Sequence, residues 1–286
     1  MPTRRIEKRP GITAHSILSP TTGYIAAAGF THSLSPARNC TYGCTYCYVP
    51  TLGIYGGLKP EDIRRWGHFT TFKTNAPQLL RRELKSHQSI YCSPLVDPYQ
   101  PAEAGQRLMP EILDAVLACP PRVFVIQTRG PLILRDLDRL RELNQRAILR
   151  VSFSITTDRD DIRKLYEPLC ESIERRLATV RALRDAGIEV YATLAPLLPC
   201  NPEKLVRLAI EATGRDLIGD PLHIRAVKRT GATTREAAWK VSEVHGQRDW
   251  LDPAFQVSVV ERMKREASAL GRSFEAGPRG FAILAS

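Results

Sequence analysis

Three cysteines, Cys40, Cys44 and Cys47, crowd into the run Asn39-Cys40-Thr41-Tyr42-Gly43-Cys44-Thr45-Tyr46-Cys47-Tyr48. Their C-x3-C-x2-C spacing lets three thiolates turn onto one inorganic centre, and Gly43 lets the loop turn tightly. A [4Fe-4S] cluster has four irons, so three local ligands would leave one iron open to another molecule. A structural zinc site normally takes four ligands, commonly two C-x2-C pairs. Here the fourth would have to be remote, with His32, His68 or Cys92 as candidates. Cys119 and Cys170 sit in apolar or helical contexts and read as small core residues. Cys200, after Leu197-Leu198-Pro199, fits either role. Seven cysteines with no secretion signal argue against a disulfide framework.

The elements that must position these thiols form an alternating pattern. After a basic lead-in broken by Pro10 and Pro20, Tyr24 to Leu34 is small and apolar and predicts a first strand running into the cysteine loop. A long loop rich in Gly and Pro follows between Val49 and Trp66. Strand Phe69–Lys73, helix Ala76–Ser86 capped by Asn75, and strand Ser89–Ser93 come next. Helix 107–119, strand Arg122–Gln127, helix 131–144 and strand Ala147–Ile155 repeat the pattern. Helix 171–186 ends at Gly187, and strand Ile188–Ala195, helix 202–213 and strand Leu222–Val227 follow. Helices near 233–244 and 253–270 close the chain. Strands separated by helices of this length form βαβ units with a parallel sheet, about six of them. Periodicity alone does not separate an open doubly wound sheet from a barrel. In both, ligands sit at the C-terminal strand ends.

Bulk composition describes a soluble globular protein: 286 residues, 43 % hydrophobic and 25 % charged. No run long enough to span a membrane occurs, and no apolar stretch follows Arg4, Arg5, Lys8 and Arg9, so a cytoplasmic location is expected. Net charge is +11, and 32 of the 41 basic residues are Arg. That excess favours a polyanionic partner, because neutralising phosphates releases counterions. The charges are scattered, however, and solvated helix faces account for them equally well.

The cysteine spacing, with Tyr46 just before the third cysteine, resembles the radical S-adenosylmethionine enzymes. Cys-Thr-Tyr-Cys-Tyr at 44–48 is similar to the corresponding run of spore photoproduct lyase and its relatives. So are Val151-Ser152-Phe153-Ser154-Ile155, Tyr166-Glu167-Pro168, Arg175-Arg176, Ala186-Gly187 and Leu194-Ala195-Pro196, in that order. The stretch from Cys92 to Glu103 resembles the lyase-like branch more than the lyase itself. The resemblance implies an α/β fold, a partial (β/α)6 TIM-type barrel with the cluster loop after the first strand. It implies a basic N-terminal arm at 1–24, a core barrel at 25–230 and a C-terminal helical extension at 231–286. It also implies a [4Fe-4S] cluster on Cys40, Cys44 and Cys47 and S-adenosylmethionine on the open iron. Reductive cleavage of that ligand would give a 5′-deoxyadenosyl radical for hydrogen abstraction. An electron donor such as a flavodoxin or ferredoxin is implied, and a monomer and a nucleic acid or nucleotide substrate are expected. The competing class is a non-catalytic zinc- or cluster-containing nucleic-acid-binding protein.

Further residues take roles from the same resemblance. Tyr46 would pack near the adenine. Arg129, after strand Arg122–Gln127, would pair with the ligand's carboxylate, which a bidentate guanidinium fits. Ser154 and Ser93 would line the same site. Asp97 would receive the ligand's ammonium, or cap its own Asx-Pro turn. Glu167 contacts the ligand or serves as structural partner of Arg175 or Arg176. Cys92 would return a hydrogen atom to the product radical, with Tyr46 and Tyr48 relaying it. The alternative for Cys92 is a buried strand cysteine.

Overall fold

The structure is a computed structural model and describes residues 6–51, 59–222 and 236–286. Its strands are β1 (Glu7–Lys8), β2 (Leu18–Pro20), β3 (His32–Leu34), β4 (Ala37–Arg38), β5 (Phe69–Phe72), β6 (Ser89–Cys92), β7 (Val123–Thr128), β8 (Ile148–Ser154), β9 (Glu189–Leu194), β10 (Leu217–Gly219) and β11 (Phe274–Ala276). Eight strands make one sheet in the order β2-β3-β6-β7-β8-β9-β10-β11. Every pairing in it is parallel except that of β2 with β3. Six strands in chain order, β3 and β6 to β10, are each followed by a helix. The helices are Ala76–Glu83, Leu108–Ala118, Leu137–Asn144, Ile173–Asp185, Pro202–Thr213 and Pro253–Ala269.

The side on which these helices pack decides between barrel and open sheet. Leu80, Val116, Leu140, Val180, Leu205 and Val259, one from each helix, lie in a single apolar cluster with Ile90, Ile126, Val151 and Val190 of the sheet. A doubly wound sheet carries helices on both faces. Here one face takes all six, so the chain is an α/β protein built as a partial (β/α)6 barrel. The other face differs in character. Tyr91, Val125, Tyr191 and Ile218 pack there against Phe30 and Phe281, with the Phe30 and Tyr91 rings 4.8 Å apart. Above them lies a polar band. The Ser152 hydroxyl donates to Gln127 Oε1 at 2.8 Å, and Gln127 Nε2 donates to Ser154 Oγ at 2.9 Å. Period-two alternation along each strand produces both faces at once.

Several elements differ from expectation. Between Tyr24 and Leu34 only His32–Leu34 is strand, because Gly23–Ala27 forms a short helix rich in alanine, the best helix former. Phe69–Phe72 is a strand, but it pairs with β1 and β4 in a separate three-stranded sheet. The segment 131–144 splits into a 3-10 turn, Pro131–Asp136, and a helix, Leu137–Asn144. Helix Asp160–Tyr166 was not foreseen, although Asp160 and Asp161 suit the positive end of a helix dipole. The sixth strand is Leu217–Gly219. Of the expected strand Leu222–Val227 only Leu222 falls among the described residues, and it is not in a strand. The first three residues of the expected helix 233–244 also lie outside them, and Glu236–Val244 is helical. The boundaries expected after residues 24 and 230 are not edges of the sheet. β2 and β11, from the first and last segments of the chain, are its two outermost strands.

Candidate functional site

The cysteine loop leaves β4 at the C-terminal ends of the barrel strands. Asn39 and Gly43 hold left-handed backbone, φ 68° and 63°, which lets the loop reverse twice within five residues. Bonds that do not involve the cysteines tie it down. Gln100 Oε1 accepts from the Thr41 amide at 2.8 Å and from its hydroxyl at 3.1 Å. The Thr70 hydroxyl faces the Arg38 and Asn39 carbonyls, each at 3.0 Å. The Thr45 amide donates to the Tyr166 carbonyl at 2.9 Å. Cys40 and Cys44 are buried and Cys47 is half-buried, and none of the seven cysteines is in a disulfide.

A charged network meets this loop. Glu167 has no exposed surface and is salt-bridged to Arg129 and to Arg176, with Arg176 Nη2 at 2.5 Å. The Tyr46 hydroxyl donates to Glu167 and accepts from Arg129. Arg129 Nη1 also donates to Cys44 Sγ at 3.5 Å. Burial opposes ionisation of Glu167, but the charges of Arg176 and Arg129 win and hold its carboxyl at about 2. A hydrogen bond from Cys170, opposed by burial and helped by Arg129, brings Cys44 down to about 7. Burial, aided by the charge of Asp97, pushes Cys40 well up. The side-chain hydrogen bonds of Arg129 run through Nη1. Among the described residues its Nε and Nη2 have no hydrogen-bond partner, so that edge can meet a carboxylate.

The residues expected to line the ligand site divide. Arg129 and Ser154 stand at the ends of adjacent strands, Ser154 buried and accepting from Gln127. Ser93 donates to Ser35 Oγ at 3.3 Å. Asp97 caps its own turn: Oδ1 accepts from the Tyr99 amide at 2.9 Å and from Thr128 Oγ1 at 2.6 Å, and Oδ2 from the Arg129 amide at 2.8 Å. Three internal donors take three of its roughly four acceptor sites, so Asp97 caps its own turn and keeps one lone pair on Oδ2. Glu167 pairs with Arg176, whereas Arg175 lies beside Glu171. Tyr46 spends its hydroxyl in the network and is 5 % exposed. Tyr48 is half-buried and within electrostatic reach of Tyr91 and Tyr24. The donor expectation for Cys92 meets a geometric obstacle. Cys92 is fully buried and shares its row with Leu34 and Ile126, on the face covered by helices, while Tyr91 takes the opposite face. The strand's period of two places it there, which is the buried-cysteine alternative.

Cys170 was read as a core residue and stands instead beside the loop. Its sulfur, Cys44 Sγ and a Glu167 carboxylate oxygen lie within 4.8 Å of one another. Among the described residues this is the only such group, and neither His32, His68 nor Cys92 joins the loop sulfurs in one. The remote fourth ligand that a zinc site needs is therefore missing from those candidates.

A family model for the radical SAM superfamily matches residues 34–210. The chain belongs to the radical S-adenosylmethionine superfamily. It is 27 % identical over 275 residues to an uncharacterized protein of Mycobacterium tuberculosis, covering 88 % of this chain and 79 % of the relative. An uncharacterized protein of Methanocaldococcus jannaschii is 29 % identical over 161 residues, 56 % of this chain and 58 % of its own. A spore photoproduct lyase structure superposes with a TM-score of 0.62 at 14 % identity, covering 93 % of this chain and 80 % of the lyase. The fold is thus shared with the lyase. As a radical S-adenosylmethionine enzyme the chain uses a [4Fe-4S] cluster and S-adenosylmethionine. The donor set at its strand ends fits such a pair of groups. Three thiols sit on a pinned loop, a guanidinium touches one of them, and the open edge of that guanidinium suits a carboxylate.

Proposed function

We propose that the chain binds a [4Fe-4S] cluster through Cys40, Cys44 and Cys47 and acts on a nucleic acid or nucleotide by abstracting a hydrogen atom. A cluster held by these three thiolates would supply the electron for reductive cleavage of S-adenosylmethionine. The chain's own residues do the rest. Arg129 holds positive charge beside Cys44 and offers its Nε and Nη2 edge to the amino-acid carboxylate of S-adenosylmethionine. Glu167 and Arg176 fix Arg129 from behind, and Tyr46 closes that network against water. Ser154, held by Gln127, keeps its hydroxyl hydrogen for the ligand. Ser93 belongs to the same strand-end ring. Asp97 fixes the backbone of Arg129.

The carrying observation is the hydrogen bond from Arg129 to Cys44 at the strand ends, which joins the cysteine loop to a basic ligand site. The net charge of +11 supports a phosphate-bearing substrate. A lyase of the same fold has been crystallised with a dinucleoside spore photoproduct. The test is anaerobic reconstitution with iron and sulfide. The expected protein is brown, absorbs near ~400 nm as thiolate-to-iron charge transfer does, and releases 5′-deoxyadenosine when reduced by a flavodoxin or ferredoxin. Nucleic acids should raise that release, and deuterium from a labelled substrate should appear in the product. A colourless, zinc-loaded protein with no turnover overturns the enzyme. Turnover indifferent to every nucleic acid and nucleotide overturns the substrate class.

A further inference from the structure

Cys170 is a fourth thiol at a site that needs three. It lies in the turn between helices Asp160–Tyr166 and Ile173–Asp185, far in sequence from the cysteine loop. Two interactions bring it there. Arg163 Nη1 donates to the Cys170 carbonyl at 2.8 Å, and the Tyr166 carbonyl takes the Thr45 amide. Its sulfur is 5 % exposed with its residue, so bulk water does not separate it from Cys44. The third member of the group, Glu167, already gives both carboxylate oxygens to arginines. A metal ion shared by Cys44, Glu167 and Cys170 would have to break a buried ion pair and leave an arginine charge uncompensated. That leaves the two thiols facing one another, with sulfurs no more than 4.8 Å apart.

We propose that Cys44 and Cys170 form a reversible disulfide in the cluster-free chain, a covalent closed state of the cluster site. The oxidant is a low-molecular-weight disulfide such as oxidised glutathione. A thiolate at Cys44 attacks it, forming a mixed disulfide and releasing one glutathione. Cys170 then displaces the second glutathione as the Cys44–Cys170 bond forms. The chain loses two protons and two electrons, and oxidised glutathione takes up both to become two glutathione molecules. The bond withdraws one of the three cluster ligands, so iron enters only after reduction. It also shelters Cys44 from oxidation beyond the disulfide stage, which is harder to reverse. The consequence for iron rests on the cluster proposed above; the disulfide itself does not.

The experiment uses the full chain, stripped of iron and fully reduced, then exposed to oxidised glutathione and trapped with an alkylating agent. Peptide mapping without reductant should show one dominant cross-linked pair carrying Cys44 and Cys170, two hydrogens lighter than the separate peptides. Cys170→Ser should lose that pair and carry glutathione on Cys44 instead. Reducing the oxidised wild-type chain with a phosphine should restore iron uptake several-fold, with no comparable gain for wild-type chain never oxidised. Cys44 recovered mainly as the alkylated thiol, or bonded to Cys40 or Cys47, overturns the proposal. The map on the wild-type chain decides this even if Cys170→Ser folds poorly. Should the disulfide form while the reduced chain never builds a cluster, the thiol pair stands and the enzyme proposal falls.

Discussion

Replacing Glu167 by Gln removes one negative charge and almost no volume from a site with no solvent access. Glu167 and Arg176 both have fully buried side chains, and Arg129 is 15 % exposed. The substitution therefore leaves two guanidinium groups facing a neutral amide. Among the described residues Arg176 Nε and Nη1 already lack hydrogen-bond partners, so no other described group takes up its charge. Removing one partner of a buried pair costs about 3–5 kcal/mol. At roughly 2–4 °C per kcal/mol for a chain of this size class, the melting temperature should fall by about 6–20 °C. The pH dependence gives an independent check. The Glu167 carboxyl is held at about 2, below its ordinary value of 4.5. A depressed carboxyl stabilises the fold above the unfolded value, and that stability drains away as pH falls toward the folded value. Wild-type stability should therefore decline between about pH 5 and 2, and Glu167→Gln should lose the share due to this group. Differential scanning calorimetry of the reduced, cluster-free chain measures both. A variant melting within about 2 °C of wild type, with an unchanged acid slope, would refute the reasoning, since a loss that small is under about 1 kcal/mol.

Four further outcomes follow from the same geometry. Single Cys→Ala changes at Cys40, Cys44 or Cys47 should abolish the absorbance near ~400 nm and leave iron close to background in a colorimetric assay. Arg129→Lys keeps the charge beside Glu167 but loses the planar fork. Its Kd for S-adenosylmethionine should rise about tenfold, or ~1.4 kcal/mol, by equilibrium dialysis on the reconstituted protein. Cys92→Ala should leave 5′-deoxyadenosine release and hydrogen return within about twofold of wild type, because Cys92 faces helices; a collapse of hydrogen return would restore the donor role. Gly130→Ala puts a methyl group 2.5 Å from the Tyr99 carbonyl oxygen and 2.7 Å from Tyr42 Oη. The turn after β7 must shift, and urea denaturation should show a loss of about 1–3 kcal/mol.

What the sequence made legible was what local pattern controls. The cysteine spacing pointed to a cluster, and the alternating elements yielded six βα units. Strand ends predicted the neighbourhood of Arg129 and Ser154. It could not show that Gly23–Ala27 would turn as a helix inside an apolar run, since short apolar segments suit helix and strand alike. Nor could it show on which face Cys92 would fall, because a shift of one residue in register reverses every side chain. Asp97 had two chemically sensible roles, and only the positions of Thr128 and Arg129 show that it caps its turn. Cys170 was missed for the plainest reason: no pattern of spacing links it to Cys44 across 125 intervening residues. The nearest available signal was Tyr166-Glu167, whose carbonyl and carboxylate both reach the cysteine loop.

The bonds that tie down the cysteine loop bear on how the site is assembled. Gln100, Thr70 and the Tyr166 carbonyl hold Thr41, Asn39 and Thr45 without any contribution from iron or sulfide. In a zinc finger, metal binding must also supply the free energy of folding, so affinity and order rise together. Here the conformational entropy of the loop is already lost when the barrel folds. Cluster delivery then becomes a late event on a finished scaffold. Its affinity is undiminished by an ordering cost, and removing the cluster should leave the secondary structure of the barrel intact.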